Sequence, residues 1–216
     1  MTREELIKKV ALKMDEISSS DDVIVPVNAG DNNPLYTQIN SLLNESINDV
    51  LMKAPVYRIK QSVKSLSKPS LGRTKGDLRS TAIFTLPEDF LRLVSIESGS
   101  WNRPISDLAY EGDEVSKRQH NKFLVAKSDK PVGVLCRNTT GGLSITCYSF
   151  DPSANVSATL FYVERYSGDT DSVSEVNLDD YMIDIVSWAC AGRVFAAQGD
   201  MNKGKICDDN AAALMV

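Results

Sequence analysis

The stretch NLDDYMIDIVSWACAGRVFAAQGD, residues 177–200, reads as a helix with too little polar surface to lie on the outside of a protein. Asn177 supplies an N-cap, and Asp179 and Asp180 put negative charge at the positive end of the helix dipole. Leu178, Met182, Ile185, Ala189, Gly192 and Ala196 fall on one face. Ile183, Val186, Cys190, Val194 and Ala197 fall on a second, and Trp188 and Phe195 widen the apolar arc. Few polar residues remain, namely Asp184, Ser187 and Arg193. A helix apolar on more than one face is covered on more than one side. Gly199 ends it, and Asp200 caps an alanine-rich fourth helix, Met201 to about Met215.

Its partners lie at the other end of the chain. Thr2 and Glu5 form a capping box for a first helix, Thr2 to Ile17, with Leu6, Val10, Met14 and Ile17 on one stripe. Asn33 and Pro34 open a second helix, in which Ile39, Leu42, Leu43, Ile47, Val50, Leu51 and Ala54 keep a 3.6-residue period until Pro55. Gln38, Asn40, Ser41, Asn44, Glu45, Asn48 and Asp49 are its expected wet face. The sixteen residues from Ser18 to Asn33 are long for a connection, and Val23–Val27 suit a short edge strand.

Between the helices the period changes to two. Tyr57–Lys64 alternates and predicts a strand with a basic face, followed by an exposed loop, Ser65–Ser80. Strands are expected over Ile83–Leu86, Phe90–Glu97, Val132–Cys136, Leu143–Phe150 and Ala158–Tyr166, with a short helix near Asp107–His120. If Gly141-Gly142 is a two-residue hairpin loop, Cys136 faces Cys147 across the strands.

Runs of one element type before runs of another make the expected class α+β. The expected architecture is a bundle of N- and C-terminal helices (1–55 and 176–216) with an inserted antiparallel β-sheet lobe (56–175), together one domain over 1–216. At 216 residues, 42% hydrophobic and 25% charged, the chain can bury a core without metals or disulfides, and composition excludes collagen-like and disordered classes. No apolar run approaches a membrane span, and Met1–Ile17 is too charged for a signal peptide, so a cytosolic origin is expected. The Asn-x-Ser/Thr matches at Asn44, Asn138 and Asn155 then carry no meaning.

Catalytic constellations are missing from the sequence. The four cysteines, Cys136, Cys147, Cys190 and Cys207, form no C-x-x-C, and His120 is the sole histidine, so neither zinc nor another cofactor is expected. His120 sits in a polar setting that suits a surface residue, and no G-x-S-x-G, G-x-G-x-x-G or phosphate loop occurs. The expectation is a non-enzyme. Net charge is −5, yet Lys53–Arg79 carries eight basic residues and one acid, Asp77. Arg58, Lys60, Lys64, Lys68, Arg73, Lys75 and Arg79 are therefore candidate contacts to an acidic partner or to phosphate. One aromatic, Tyr57, is fewer than single-strand binders use. A nucleic-acid-binding module led by this segment is the alternative class.

Three short motifs in order bring a family into view: Leu86-Pro87-Glu88-Asp89-Phe90, Leu160-Phe161-Tyr162-Val163-Glu164-Arg165-Tyr166, and Gly199-Asp200 followed by Ala211-Ala212-Ala213. In this order, with helices at both ends, the chain resembles the head-to-tail adaptors of short-tailed phages, the tail tubular protein A or gatekeeper-ring family. Ala11–Ser18, ALKMDEIS, is similar to the starts of ring proteins in crAss-like phages. The chain departs from the pattern in its long Ser18–Asn33 segment and in lacking a tryptophan after the second helix.

The resemblance implies a virion protein at the head-tail junction, assembled in the host cytoplasm. It implies a ring, commonly of twelve copies, that touches the portal protein and the next tail component. Double-stranded DNA would pass through it without sequence specificity, and no membrane or catalytic residue is involved. A tail or baseplate component with the same helices is a further alternative. The apolar excess of residues 177–198 suits such a ring, with Ile183, Val186, Trp188, Cys190 and Val194 as the expected subunit interface.

Overall fold

A computed structural model describes residues 1–17, 34–73, 80–121, 123–137, 141–151, 157–171 and 174–215. The loop and edge strand expected over Ser18–Asn33, and the Asn33 cap, lie outside them. The fold is α+β, with helices toward both ends of the chain and strands between. The chain divides into two compact units, Met1–Ser62 with Arg165–Val216, and Val63–Glu164. The sequence reading had placed the β-rich insert at 56–175.

The first unit holds α1 (Arg3–Ile17), α2 (Pro34–Lys53), α4 (Asp180–Ala197) and α5 (Met201–Met215). The capping box forms: Thr2 N–H donates to Glu5 Oε2 at 2.8 Å, and Glu5 N–H to Thr2 Oγ1 at 3.3 Å. Leu6, Val10 and Met14 of α1 and Ile39, Leu43, Ile47, Val50 and Leu51 of α2 are buried. Asp200 caps α5 through Lys203 N–H, after Gly199 turns the chain with φ +89°. Helix α4 starts two residues later than expected, and its N-cap is Asp179, not Asn177.

Helices α4 and α5 meet at two glycines. A Cβ on Gly192 would stand 2.8 Å from Asp208 Oδ1 and 3.1 Å from the Gly204 carbonyl. One on Gly204 would stand 3.1 Å from the Gly192 carbonyl. The two backbones approach because neither helix carries a side chain there.

Helix α4 is covered by its own unit, packing against α1, α2 and α5. Ile183 is 5% exposed, and Val186, Cys190 and Val194 are fully buried. This corrects the expectation that these residues form a subunit interface: three other helices already bury both apolar faces. Trp188 is half-buried, with Lys13 Nζ 4.9 Å from its ring centroid.

The second unit holds two sheets. One is ordered β1-β8-β4 (Val63–Ser67, Ala158–Glu164, Phe90–Ser98) and is antiparallel. The other is ordered β2-β3-β7-β6-β5 (Ser70–Arg73, Ser80–Thr85, Leu143–Phe150, Val132–Arg137, Leu108–Tyr110). Its edge strand β5 runs parallel to β6, a departure from an all-antiparallel lobe. One core cluster draws on both sheets, with Ala82, Phe84, Ile145 and Cys147 from one and Ile96, Ala158, Leu160 and Tyr162 from the other. A short helix, α3 (Glu114–Arg118), lies between β5 and β6.

Three local expectations fail for identifiable reasons. Of the strand expected over Tyr57–Lys64 only Val63 and Lys64 form, at the start of β1: after Pro55 ends α2, two short 3₁₀ turns, Val56–Arg58 and Lys60–Ser62, bury Ile59 between them. Part of the loop expected over Ser65–Ser80 is strand β2, reached through Lys68 at φ +72°. Cys136 pairs with Ser144 and Cys147 with Gly133, so the two cysteines sit on opposite faces. The two-residue loop was the error. In the observed register Gly133 leaves room at the core face for Leu108 and Ile105, whose atoms would stand 2.8 and 3.2 Å from a Cβ there. All four cysteines are free thiols.

Candidate functional site

The LPEDF motif makes the passage from β3 to β4. Leu86 N–H donates to the Leu143 carbonyl at 2.9 Å, and Phe90 N–H to the Pro87 carbonyl at 3.1 Å, which closes a tight turn. The turn places Asp89 and Phe90 beside β8. The Phe90 ring stacks on Tyr162 with centroids 5.7 Å apart and planes at 29°. The Tyr162 hydroxyl donates to Asp89 Oδ1 at 3.2 Å. From β1, opposite Tyr162 in the register, Lys64 pairs with Glu164 and reaches Asp89 Oδ2 at 3.5 Å. The first two motifs of the family resemblance, seventy-three positions apart at Asp89 and Tyr162, are one contact in space.

The electrostatics follow from these neighbours. The hydrogen bond to Glu164 holds the Lys64 ammonium above its ordinary pKa. Burial first, and the Asp89 charge second, push the Tyr162 hydroxyl upward. Two carboxylates and one ammonium at a sheet end, joined to a tyrosine that packs in the core, make a brace between three strands.

The basic stretch is divided between the two units. Arg58 and Lys60 belong to the first unit, whereas Lys64, Lys68 and Arg73 belong to the second. Arg58 lies 4.0 Å from the Tyr181 ring centroid and donates to the Tyr57 hydroxyl at 3.0 Å. Lys60 and Lys68 are exposed, Arg73 lies on β2, and Lys75 and Arg79 fall outside the described residues. Among the described residues, no group of three or more His, Cys, Asp or Glu side chains could hold a metal ion, and no helix is long and apolar enough to cross a membrane. His120 is exposed.

Sequence reasoning missed the polar framework of the helical unit. Asn40, Asn44 and Asn48, read as a wet face, are half-buried. Their amides donate to the carbonyls of Thr170, Gly168 and Tyr166 at 3.0, 2.9 and 3.0 Å, and Tyr166 N–H returns a bond to Asn48 Oδ1 at 2.8 Å. The side chains of one helix thus serve as a ladder for the chain that follows β8. Arg3, fully buried, donates to Asn44 Oδ1 and to the Asn40 side chain and carbonyl. The i, i+4, i+8 spacing of the asparagines was the available signal.

No protein-family model matches the chain, and a search of curated proteins returned no match.

Proposed function

We propose that this chain is a structural virion protein, the head-to-tail adaptor of a short-tailed phage. Copies form a ring between portal and tail around the DNA channel. The carrying observation is the Asp89–Tyr162–Phe90 contact with its Lys64 and Glu164 pairs. Residues of two separate motifs hold one another, which is the signature of motifs that specify an architecture. The third motif does the same work between helices, where Gly199 turns the chain and Asp200 caps α5.

A net charge of −5 suits a wall along which DNA must slide without sticking. Nothing in this role requires a cofactor or a catalytic group. The subunit contact is sought on surfaces other than the buried faces of α4. Light scattering and negative-stain microscopy, with and without a portal ring, test the reading. The expected result is a monomer alone and a closed ring with portal; a monomer inert in both settings overturns it.

A further inference from the structure

We draw no further inference here: the strongest candidate, the exposed apolar side chains Tyr110, Val115, Phe123 and Leu124 of the sheet unit with the groove along edge strand β5, carries none, because Asp107 and Asp113 line that groove alongside Arg103 and Lys130, so that its charge selects no partner, and nothing in the structure shows what covers it.

Discussion

Arg3 and Asn44, forty-one positions apart, meet at 2.7 Å between guanidinium Nη1 and amide Oδ1, with the arginine fully buried. Its guanidinium donates to uncharged acceptors, the Asn40 and Asn44 side-chain oxygens and the Asn40 carbonyl. The other end of the Asn44 amide holds the Gly168 carbonyl. Asn44→Ala therefore removes an acceptor from a buried cation and a donor from a backbone carbonyl at once. The expected cost is about 2–3 kcal/mol, or roughly a 5–10 °C fall in melting temperature at this size. Arg3→Met should cost a comparable amount, and the double variant less than the sum, because each change breaks the same bond. Additive losses in urea melts would show that the two residues act separately.

The close passage of α4 and α5 predicts that Gly192→Ala destabilises more than Gly204→Ala. The first Cβ would meet the Asp208 carboxylate and backbone, while the second has a carbonyl alone inside 3.4 Å. Overpacking of this kind costs about 1–3 kcal/mol. Equal midpoints for the two variants and the wild type would mean that the helices can separate freely.

At the sheet end, Tyr162→Phe should cost about 1–2 kcal/mol, because it leaves a carboxylate without its hydroxyl donor. Lys64→Ala should leave the urea midpoint close to that of the wild type, since its ion pairs are exposed. A larger loss in Lys64→Ala would move the weight of the brace from the tyrosine to the ion pairs.

Burial pushes the Cys190 and Cys207 thiols up to about 11 and Cys147 higher still. In the unfolded chain they ionise near about 8.5. The folded state therefore binds more protons than the unfolded state above that pH. The stabilisation is complete below it; for Cys190 and Cys207 it is lost as pH rises toward about 11, at about 2–3 kcal/mol each, and for Cys147 the loss continues beyond. Urea midpoints should be flat from neutral pH to about 8 and fall steeply by about 10.5. A thiol reagent at pH 8 should find half-buried Cys136 first and the other three only on unfolding.

Local signals were legible where the partner lies within one turn of helix. Thr2 with Glu5, Asp200 with Lys203, and the stripe of Leu6, Val10 and Met14 all follow from neighbours in sequence. The errors arise where the partner is remote. The alternation over Tyr57–Ser62 comes from two tight turns around buried Ile59, and the pleat begins only at Val63. The β6–β7 register follows Gly133 making room for Leu108 and Ile105, which no hairpin rule contains. The asparagines of α2 look solvated until Tyr166, Gly168 and Thr170 arrive from more than a hundred positions away. Of the candidate site, the LPEDF and FYVERY motifs could be read, but their contact could not.

The helical unit is assembled from both ends of the chain, and this sets an order on its birth at the ribosome. Helix α2 ends at Lys53, and α4 begins only at Asp180. At 5–20 residues per second, the apolar stripes of α1 and α2 wait roughly 6–25 seconds for their cover. The sheet unit, continuous from Val63 to Glu164, can be complete in the meantime. The nascent protein thus matures from its middle outward, and its sticky early helices are the segments a chaperone would meet first.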